Sequence, residues 1–291
     1  MSADMTATTM ATYLPEQWSA LATVTYRSNI VLADLMDRRW EPELGVGRGD
    51  TVNIPAFTQN SAANARSTFG TGAALTFDAV TEAQTQLVVN KMAYKAFRMP
   101  AEMSVQAMSA YVPLLTDGIG LACALYVDNQ LAADNSNGID AFTTAVGTDN
   151  IDVTDDNILT VETNLDGQNA PSEGRYLVIS PATRASIIKI DVIRNQLYSA
   201  TVGNLKGDAG PGYLGKVYKF NVHQSNNLEA GVAGKKNGGF HREAIALCVQ
   251  KKLTMVKDLN VEDGLFDQYV GYVVFGHKLV KNVFGNELDG K

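Results

Sequence analysis

The feature that most constrains this chain is one long helical stretch, residues 113–134, which reads PLLTDGIGLACALYVDNQLAAD. Pro113 suits a first helical turn, because its fixed φ is already helical and its missing N–H costs nothing there. The apolar residues fall on two adjoining sides, Leu114, Leu121 and Leu125 on one and Leu115, Ile119, Ala122 and Tyr126 on the other. At ~1.5 Å per residue the helix would be roughly 33 Å long, which is enough to cross a domain.

Two glycines inside this stretch need a structural reason. Gly118 and Gly120 each cost about 1 kcal/mol relative to alanine within a helix. The simplest compensation is a close approach by another backbone at that point. The sequence NSNG at 135–138 then predicts the end of the helix. Taken alone, this stretch indicates a buried core helix.

Length and composition indicate an ordinary globular protein of one elaborated domain or two. The chain has 291 residues, of which 45% are hydrophobic and 19% charged. No apolar run reaches the ~18 residues that span a bilayer, so no membrane partner is predicted. The N-terminus lacks the cationic start and the apolar segment of a signal peptide. Cys123 and Cys248 are predicted to be buried thiols, because nothing indicates an oxidising compartment.

The charge is negative and unevenly distributed. The formal net charge is −7, and residues 1–145 carry 8 Lys and Arg against 14 Asp and Glu. The first basic residue is Arg27. The chain therefore has no basic N-terminal arm that would neutralise phosphates, and tight binding of nucleic acid through that end is not expected.

The N-terminal part predicts two helical pieces. Residues 14–28 open with Pro15 and Glu16, which favour the first turn of a helix, and continue through Leu21 and Val24. Residues 34–40 follow as a second amphipathic piece, and glycines at 45, 47 and 49 then break the chain.

Residues 46–97 are the second unusual region. The alternation in 50–57 predicts a strand, and Pro55 confines it to an edge. Residues 58–74 are small and polar, whereas 81–94 again predicts a strand. Two interpretations stand: a disordered surface insertion, or a two-stranded arm whose hydrophobic support comes from another copy of the protein. We favour the arm, because a lone hairpin is only marginally stable and 80–97 has too much strand character for a linker.

Residues 139–250 predict an α/β unit, and the tail predicts more strands. Thr154 is expected to cap a helix that buries Ile158, Val161 and Leu165, and Ser180 to cap another. Strands are predicted at 175–180, 217–222 and 243–249, and flexible loops at 203–215 and 231–239. The tail, 252–286, alternates and is predicted to form strands beside the long helix. Together these elements predict an α+β protein with an inserted α/β unit.

The sequence contains no recognisable catalytic constellation and predicts a protein that is not an enzyme. His223, His241 and His277 lie in separate segments without metal-ligand spacing, so no metal site is predicted. The glycines and lysines at 231–236 lack both the leading Gly and the final Ser or Thr of a phosphate-binding loop. No catalytic residue and no cofactor-binding residue is therefore predicted.

Three segments carry a resemblance to a known family. They are 174–181 (GRYLVISP), 215–222 (GKVYKFNV) with 225–227 (SNN), and 239–250 (GFHREAIALCVQ). In these segments the chain resembles the major capsid proteins of tailed bacteriophages, which share the Hong Kong 97-like fold. The order of parts along nearly the whole chain is similar as well, and this order is more specific than the individual segments.

The resemblance implies a division of the chain and an assembly. The implied parts are an N-terminal arm and helix at 1–45, an extended β-hairpin loop at 46–97, a long spine helix at 98–138 that begins the peripheral domain, an inserted apical α/β domain at 139–249, and C-terminal strands of the peripheral domain at 250–291. Such proteins assemble into pentamers and hexamers that form an icosahedral shell around double-stranded DNA, with the extended loop lying over the next subunit.

The resemblance also implies partners and a location. The chain begins at Met1 without an N-terminal scaffolding region, so a separate scaffolding protein is expected, together with a portal. Packaged double-stranded DNA is expected to make only weak, non-specific contacts. The expected location is the virion capsid, assembled in the cytoplasm of a bacterial host.

Four residues are candidates for inter-subunit contacts: Arg66 and Phe69 at the loop tip, and Trp18 and Arg27 in the N-terminal segment. Two alternatives to the capsid hypothesis remain open. One is the shell of an encapsulin-like nanocompartment, which has the same fold but encloses an enzyme cargo. The other is a monomeric small-molecule-binding α/β protein with a mobile lid at 58–74 or 203–239.

Overall fold

The computed structural model describes residues 30–45, 47, 49–57, 82–102, 111–194, 203–204, 212–261 and 264–291. The helices are α1 (Leu32–Leu35), α2 (Tyr111–Ala133), α3 (Asp155–Gly167), α4 (Pro181–Lys189) and α5 (Asp191–Arg194). The strands are β1 (Thr51–Phe57), β2 (Glu82–Val88), β3 (Lys91–Pro100), β4 (Ala145–Gly147), β5 (Arg175–Ile179), β6 (Gly203–Asn204), β7 (Tyr213–Val217), β8 (Phe220–Gln224), β9 (Lys235–His241), β10 (Ile245–Asn260), β11 (Phe266–Leu279) and β12 (Gly285–Gly290). The protein is therefore of the mixed α+β class.

The predicted long helix is present as α2, and it packs on a three-stranded antiparallel sheet of order β10-β11-β3. Its buried line consists of Ile119, Cys123, Val127 and Leu131, which are spaced four residues apart and so lie on one side of the helix. Gly271 in the central strand leaves room for Ile119, because an added Cβ there would clash with that side chain. Both cysteines are buried free thiols, as predicted.

The glycines of α2 do not have the predicted explanation. No described residue lies within 4 Å of a Cβ added to Gly118. A Cβ added to Gly120 would lie 3.3 Å from Cδ2 of Leu253, which is a side-chain atom. Among the described residues, the expected close approach of another backbone is found at neither glycine, and the lack of a side chain at Gly120 admits a leucine from β10.

A second large sheet has seven strands in the order β4-β12-β9-β5-β8-β7-β6. The side chain of Thr154 caps α3 by accepting from the Asn157 N–H, and that of Ser180 caps α4 by accepting from the Thr183 N–H, both as predicted. The predicted inward residues of α3, Ile158, Val161 and Leu165, are all fully buried. They belong to a hydrophobic core distinct from the one beneath α2.

The last strand joins this second sheet and not the sheet beside α2. β12 lies between β4 and β9, pairing parallel with the former and antiparallel with the latter. The sequence predicted that the strands of the tail, 252–286, lie beside the long helix, whereas β12, which begins at Gly285, lies in the other sheet. Its sequence, GNELDG, contains Leu288 as its one large apolar residue, so it carries no pattern that assigns it to either sheet.

Two strand predictions and one loop prediction also differ from the structure. The stretch 81–94 is not one strand, since β2 ends at Val88 and β3 begins at Lys91 in another sheet. The stretch 217–222 is interrupted by a turn at Tyr218, whose φ is +50° and whose hydroxyl donates to Asp155. The predicted flexible loop at 231–239 contains the beginning of β9, an interior strand of the seven-stranded sheet.

The hairpin formed by β1 and β2 rests with its base on its own molecule. Its inward residues Ile54 and Leu87 are buried in a small cluster with Leu44, Ala246 and Cys248. The expectation that 46–97 lacks hydrophobic support within its own chain is therefore wrong for the described base. The reason is that residues before the hairpin and in β10 supply apolar partners. Residues 58–81, which include the predicted loop tip, lie outside the described residues.

Candidate interaction surfaces

The four residues predicted at inter-subunit contacts, Trp18, Arg27, Arg66 and Phe69, all lie outside the described residues. Their role as contacts stays a prediction. The surfaces described below come from other parts of the chain.

The three-stranded sheet has one face on α2 and one face turned away from it. In β11, Gly271 and Phe275 lie on the α2 side, so the alternating residues Val270, Tyr272 and Val274 point to the opposite side. We call this opposite side the outer face. Cross-strand pairing places Met92, Tyr94 and Ala96 of β3 and Thr254 and Val256 of β10 on it as well.

The outer face is covered at one end and exposed at the other. At the covered end, Val274 packs against the cluster at the base of the hairpin. Beyond Val274 the face is open, because its partner on β3, Met92, is 54% exposed, and Tyr94 and Val256 farther along are 67% and 47% exposed. Lys251 lies over the ring of Tyr272, with Nζ 4.6 Å from its centroid. A contiguous patch of large apolar side chains on one face of a sheet is typical of a protein–protein contact.

The far half of β10 forms a second exposed surface. Near its start, Leu247 donates its backbone N–H to the Asp37 carbonyl, so that part of the edge is paired. Beyond that point, no described strand pairs with the outer edge of β10, and Leu253, Met255 and Leu259 are exposed along it. An unpaired strand edge with apolar side chains is a template for pairing with another chain.

One buried carboxylate holds the segment before the hairpin against α2. Asp128 is fully buried, and its oxygens accept from the backbone N–H of Leu32 (2.8 Å) and Val31 (3.3 Å) and from Nδ2 of Asn227 (2.7 Å). Burial raises the pKa of Asp128, and the hydrogen bonds from Asn227 and the backbone oppose this rise. A helix, the start of α1 and a turn of the second sheet are thereby joined at one side chain.

A series of ion pairs also attaches the segment before the hairpin to the body of the protein. Asp37 accepts from Arg39 Nε at 2.7 Å, Arg39 lies 3.3 Å from Glu243, and Lys281 lies 2.7 Å from Glu243. The hydrogen bond to Asp37 raises the pKa of Arg39, and the hydrogen bond from Lys281 lowers the pKa of Glu243. These ion pairs link the segment before the hairpin to the turns after β9 and β11.

A third polar cluster lies where β3, α2 and β11 meet. Lys91 Nζ is 2.6 Å from Oδ2 of Asp134 and 2.7 Å from Oε1 of Gln130, and Nε2 of His277 is 3.1 Å from the same Asp134 oxygen. Burial raises the pKa of Asp134, but the hydrogen bonds from Lys91 and the Ser136 backbone and the nearby positive charge outweigh it and hold the pKa at about 2. Burial and the Lys91 charge lower the pKa of His277 to about 4.

The three histidines lie in separate environments. His223 contacts the rings of Tyr176 and Tyr213, His241 contacts Phe284, and His277 lies beside Asp134. Within the described ranges, no group of three or more His, Cys, Asp or Glu is placed to hold a metal ion. Among the helices that the structure describes, none is both long and apolar enough to cross a membrane.

Sequence reasoning missed the outer face, although a weak signal was present. The segment KMAYKAF at 91–97 alternates, with Met92 and Tyr94 on one side and Ala93 and Phe97 on the other. Both sides are partly apolar, which is typical of a strand that is covered on two faces. The sequence assigned this strand to the arm, so its second face was not recognised as a surface of the body.

Comparison with known proteins gives matches in structure alone. No protein-family model matches the sequence, and no curated protein matches it. A structure of Mycobacterium phage Che8 aligns with a TM-score of 0.74 and 21% identity, covering 96% of this chain and 98% of that chain. The capsid structure of cyanophage P-SCSP1u aligns with a TM-score of 0.70 and 16% identity, over 97% and 94% of the two chains. The mature capsid of bacteriophage PhiM1 aligns with a TM-score of 0.68 and 12% identity, over 96% and 92%.

The chain therefore has the fold of phage capsid structures over nearly its whole length. The resemblance in fold to the major capsid proteins of tailed bacteriophages is confirmed. Within the described part of the chain, the outer face and the open edge of β10 expose apolar side chains that are available for contact with another protein.

Proposed function

We propose that this chain is a major capsid protein whose copies assemble into pentamers and hexamers and close into an icosahedral shell around double-stranded DNA. The observation that carries the proposal is the extent of the fold likeness, which spans 96% of this chain and 98% of the Che8 phage chain. Almost all of each chain is therefore accounted for by the shared fold, and two further alignments are to capsids.

The proposed division of the chain follows the order of its elements. Residues 1–45 are the N-terminal arm and helix, 46–97 the extended loop, 98–138 the spine helix, 139–249 the apical domain and 250–291 the strands of the peripheral domain. Two features of the structure adjust these limits. β12 pairs with strands of the apical region, and β3 pairs with β11 beside α2.

The proposed assembly uses the surfaces that the isolated chain leaves exposed. The hairpin base is held by its own molecule, and the rest of the arm extends over a neighbouring copy. The outer face and the open edge of β10 are covered by neighbours. Stable protein–protein interfaces bury ~1,600 Å² in total, so several such contacts for each copy would supply the cohesion of a shell.

The charge supports a shell that holds DNA loosely. The net charge of −7 disfavours tight binding to phosphates, so packaged DNA makes weak, non-specific contacts and remains free to move. The proposed partners are other copies of this chain, a separate scaffolding protein and a portal. The proposed location is the virion, with assembly in the cytoplasm of the bacterial host.

Sedimentation and negative-stain electron microscopy of the purified chain test this proposal, with and without proteins co-expressed from the same source. The expected result is a fast-sedimenting population of closed, uniform shells, or of pentamers and hexamers when the scaffolding protein is missing. A chain that sediments as a monomer at all concentrations, in the presence of candidate scaffolding proteins as well, would contradict it.

The same preparation separates the two alternatives. Shells that form in the bacterial cytoplasm and retain a specific enzyme would identify a nanocompartment in place of a virion. A stable monomer that binds a small molecule in a deep pocket would identify the ligand-binding alternative.

A further inference from the structure

An apolar groove crosses the junction of α1, α2 and β10. Its volume is about 270 Å³. Its walls are formed chiefly by Ile30, Ala33, Ala124, Val127, Val249 and Leu253. The side chain of Leu253 is 45% exposed at the rim, which is a large apolar area to leave in water.

The sequence leaves this groove open by placing small residues along it. Ala33, Gly120 and Ala124 fill little space where the helices face β10. The adjoining part of β10 lies beyond Leu247, where no described strand pairs with the outer strand edge. The rim carries charges of both signs, Arg38, Glu41 and Lys252.

We propose that this groove is the binding site for the chain's own N-terminal segment, residues 14–28, which lies in it as an amphipathic helix. The chain reaches the groove directly, because Ile30, in its wall, is the residue at which the described structure begins. The 29 residues before Ile30 include Leu14, Trp18 and Leu21. These have the i, i+4, i+7 spacing with which an amphipathic helix enters an apolar groove.

The size and charge of the groove favour this occupant over a small molecule or a separate protein. Its volume lies below the ~300–1,000 Å³ of small-molecule pockets and suits a few anchoring side chains. Glu16 and Arg27 flank the apolar residues of the segment and complement the mixed charges of the rim. A segment joined to the wall of the groove also has an effective concentration of roughly millimolar, far above that of any copy in dilute solution. This inference goes beyond the proposed assembly and does not depend on it, and it assigns Trp18 to a contact within its own chain in place of the inter-subunit contact predicted from the sequence.

Cysteine cross-linking of the dilute, full-length protein tests the inference. The variant Leu21→Cys/Leu253→Cys keeps both native cysteines, which are buried, and Trp18→Cys/Leu253→Cys serves as a second pair in case the first fails to fold. A short bis-maleimide is added at about 10 μM protein, and products are separated on a denaturing gel and mapped by mass spectrometry. We expect a cross-link within one chain, in roughly 100-fold excess over cross-links between chains.

The matched control is Leu21→Cys/Val232→Cys, because Val232 is fully exposed and lies outside the groove. The inference is overturned if neither groove pair cross-links within a chain above the level of this control while circular dichroism reports folded protein. It is also overturned if the groove pairs cross-link only between chains, since the occupant would then belong to another copy.

Discussion

At the scale of single residues, Asp128 is the clearest test of how the N-terminal part is attached to the body. Replacing it with alanine leaves the Leu32 N–H and the Asn227 amide without their acceptor in a buried site. We expect Asp128→Ala to lower the free energy of unfolding by about 2–3 kcal/mol. Urea unfolding measures this, with Asn129→Ala at the neighbouring exposed position changing stability by no more than ~0.5 kcal/mol. Equal effects of the two substitutions would contradict the anchoring role.

His277 predicts a specific pH dependence of stability. Its pKa in the folded protein is about 4, below its ordinary value of 6.5, so between these values the unfolded chain binds more protons. The contribution of His277 is therefore fully present above pH 6.5 and is lost as the pH falls toward 4. We expect wild type to lose about 3 kcal/mol more than His277→Gln over this window. Parallel curves of unfolding free energy against pH for the two proteins would rule this out.

Local features at this scale were predictable, whereas long-range ones were not. The caps at Thr154 and Ser180 depend on residues three positions away, and the sequence predicted both. Asp128 depends on partners 96 and 99 positions away in the chain. The sequence shows Asp128 only as an acidic residue in an apolar helix, and it does not reveal which distant groups donate hydrogen bonds to that carboxylate.

At the scale of elements, the outer face of the three-stranded sheet is the surface that we expect to be covered on assembly. Tyr94→Glu places a charge at its most exposed large side chain, where the monomer has room for it. We expect a loss of at least about tenfold in assembled particles with unfolding stability changed by less than ~0.5 kcal/mol. Tyr94→Phe keeps the apolar ring and is expected to assemble normally. Sedimentation of wild type, Tyr94→Glu and Tyr94→Phe measures the fraction of assembled particles. Unimpaired assembly of Tyr94→Glu would exclude this face from the interfaces.

The arm gives a second prediction for an element. Since the base of the hairpin packs on its own cluster around Leu44 and Leu87, deleting 58–74 should leave the body folded. We expect soluble capsomers or monomers in place of closed shells, because the deleted residues are proposed to contact a neighbouring copy. Electron microscopy and thermal unfolding of the deletion variant measure the two properties separately. Closed shells formed at the wild-type level would reject the arm as an assembly element.

One error of prediction at the scale of elements arises from glycine. The sequence around Gly238 and Gly239 predicts a loop, yet it forms the interior strand β9. A Cβ at Gly238 would clash with Ile139 and one at Gly239 with Val161, so these glycines allow close packing on both faces of the sheet. The periodicity of a sequence cannot distinguish this use of glycine from its use in turns.

At the scale of the whole molecule, the order of the elements was more informative than any single motif. The long helix, the hairpin strands and the α/β region were all predicted in their correct order, and this order carried the resemblance in fold. The membership of β12 was not predictable, because Leu288 alone marks it as apolar and its partners in β9 lie about 50 positions away. The division into assembly parts rests on that fold and remains a proposal.

Cryo-electron microscopy of particles assembled from the wild-type chain tests the central claim most directly. The account predicts an icosahedral reconstruction built of pentamers and hexamers, in which Tyr94 and Val256 of each copy lie against a neighbouring copy. A preparation that yields no closed particles under any condition, or particles in which both side chains face solvent, would contradict it.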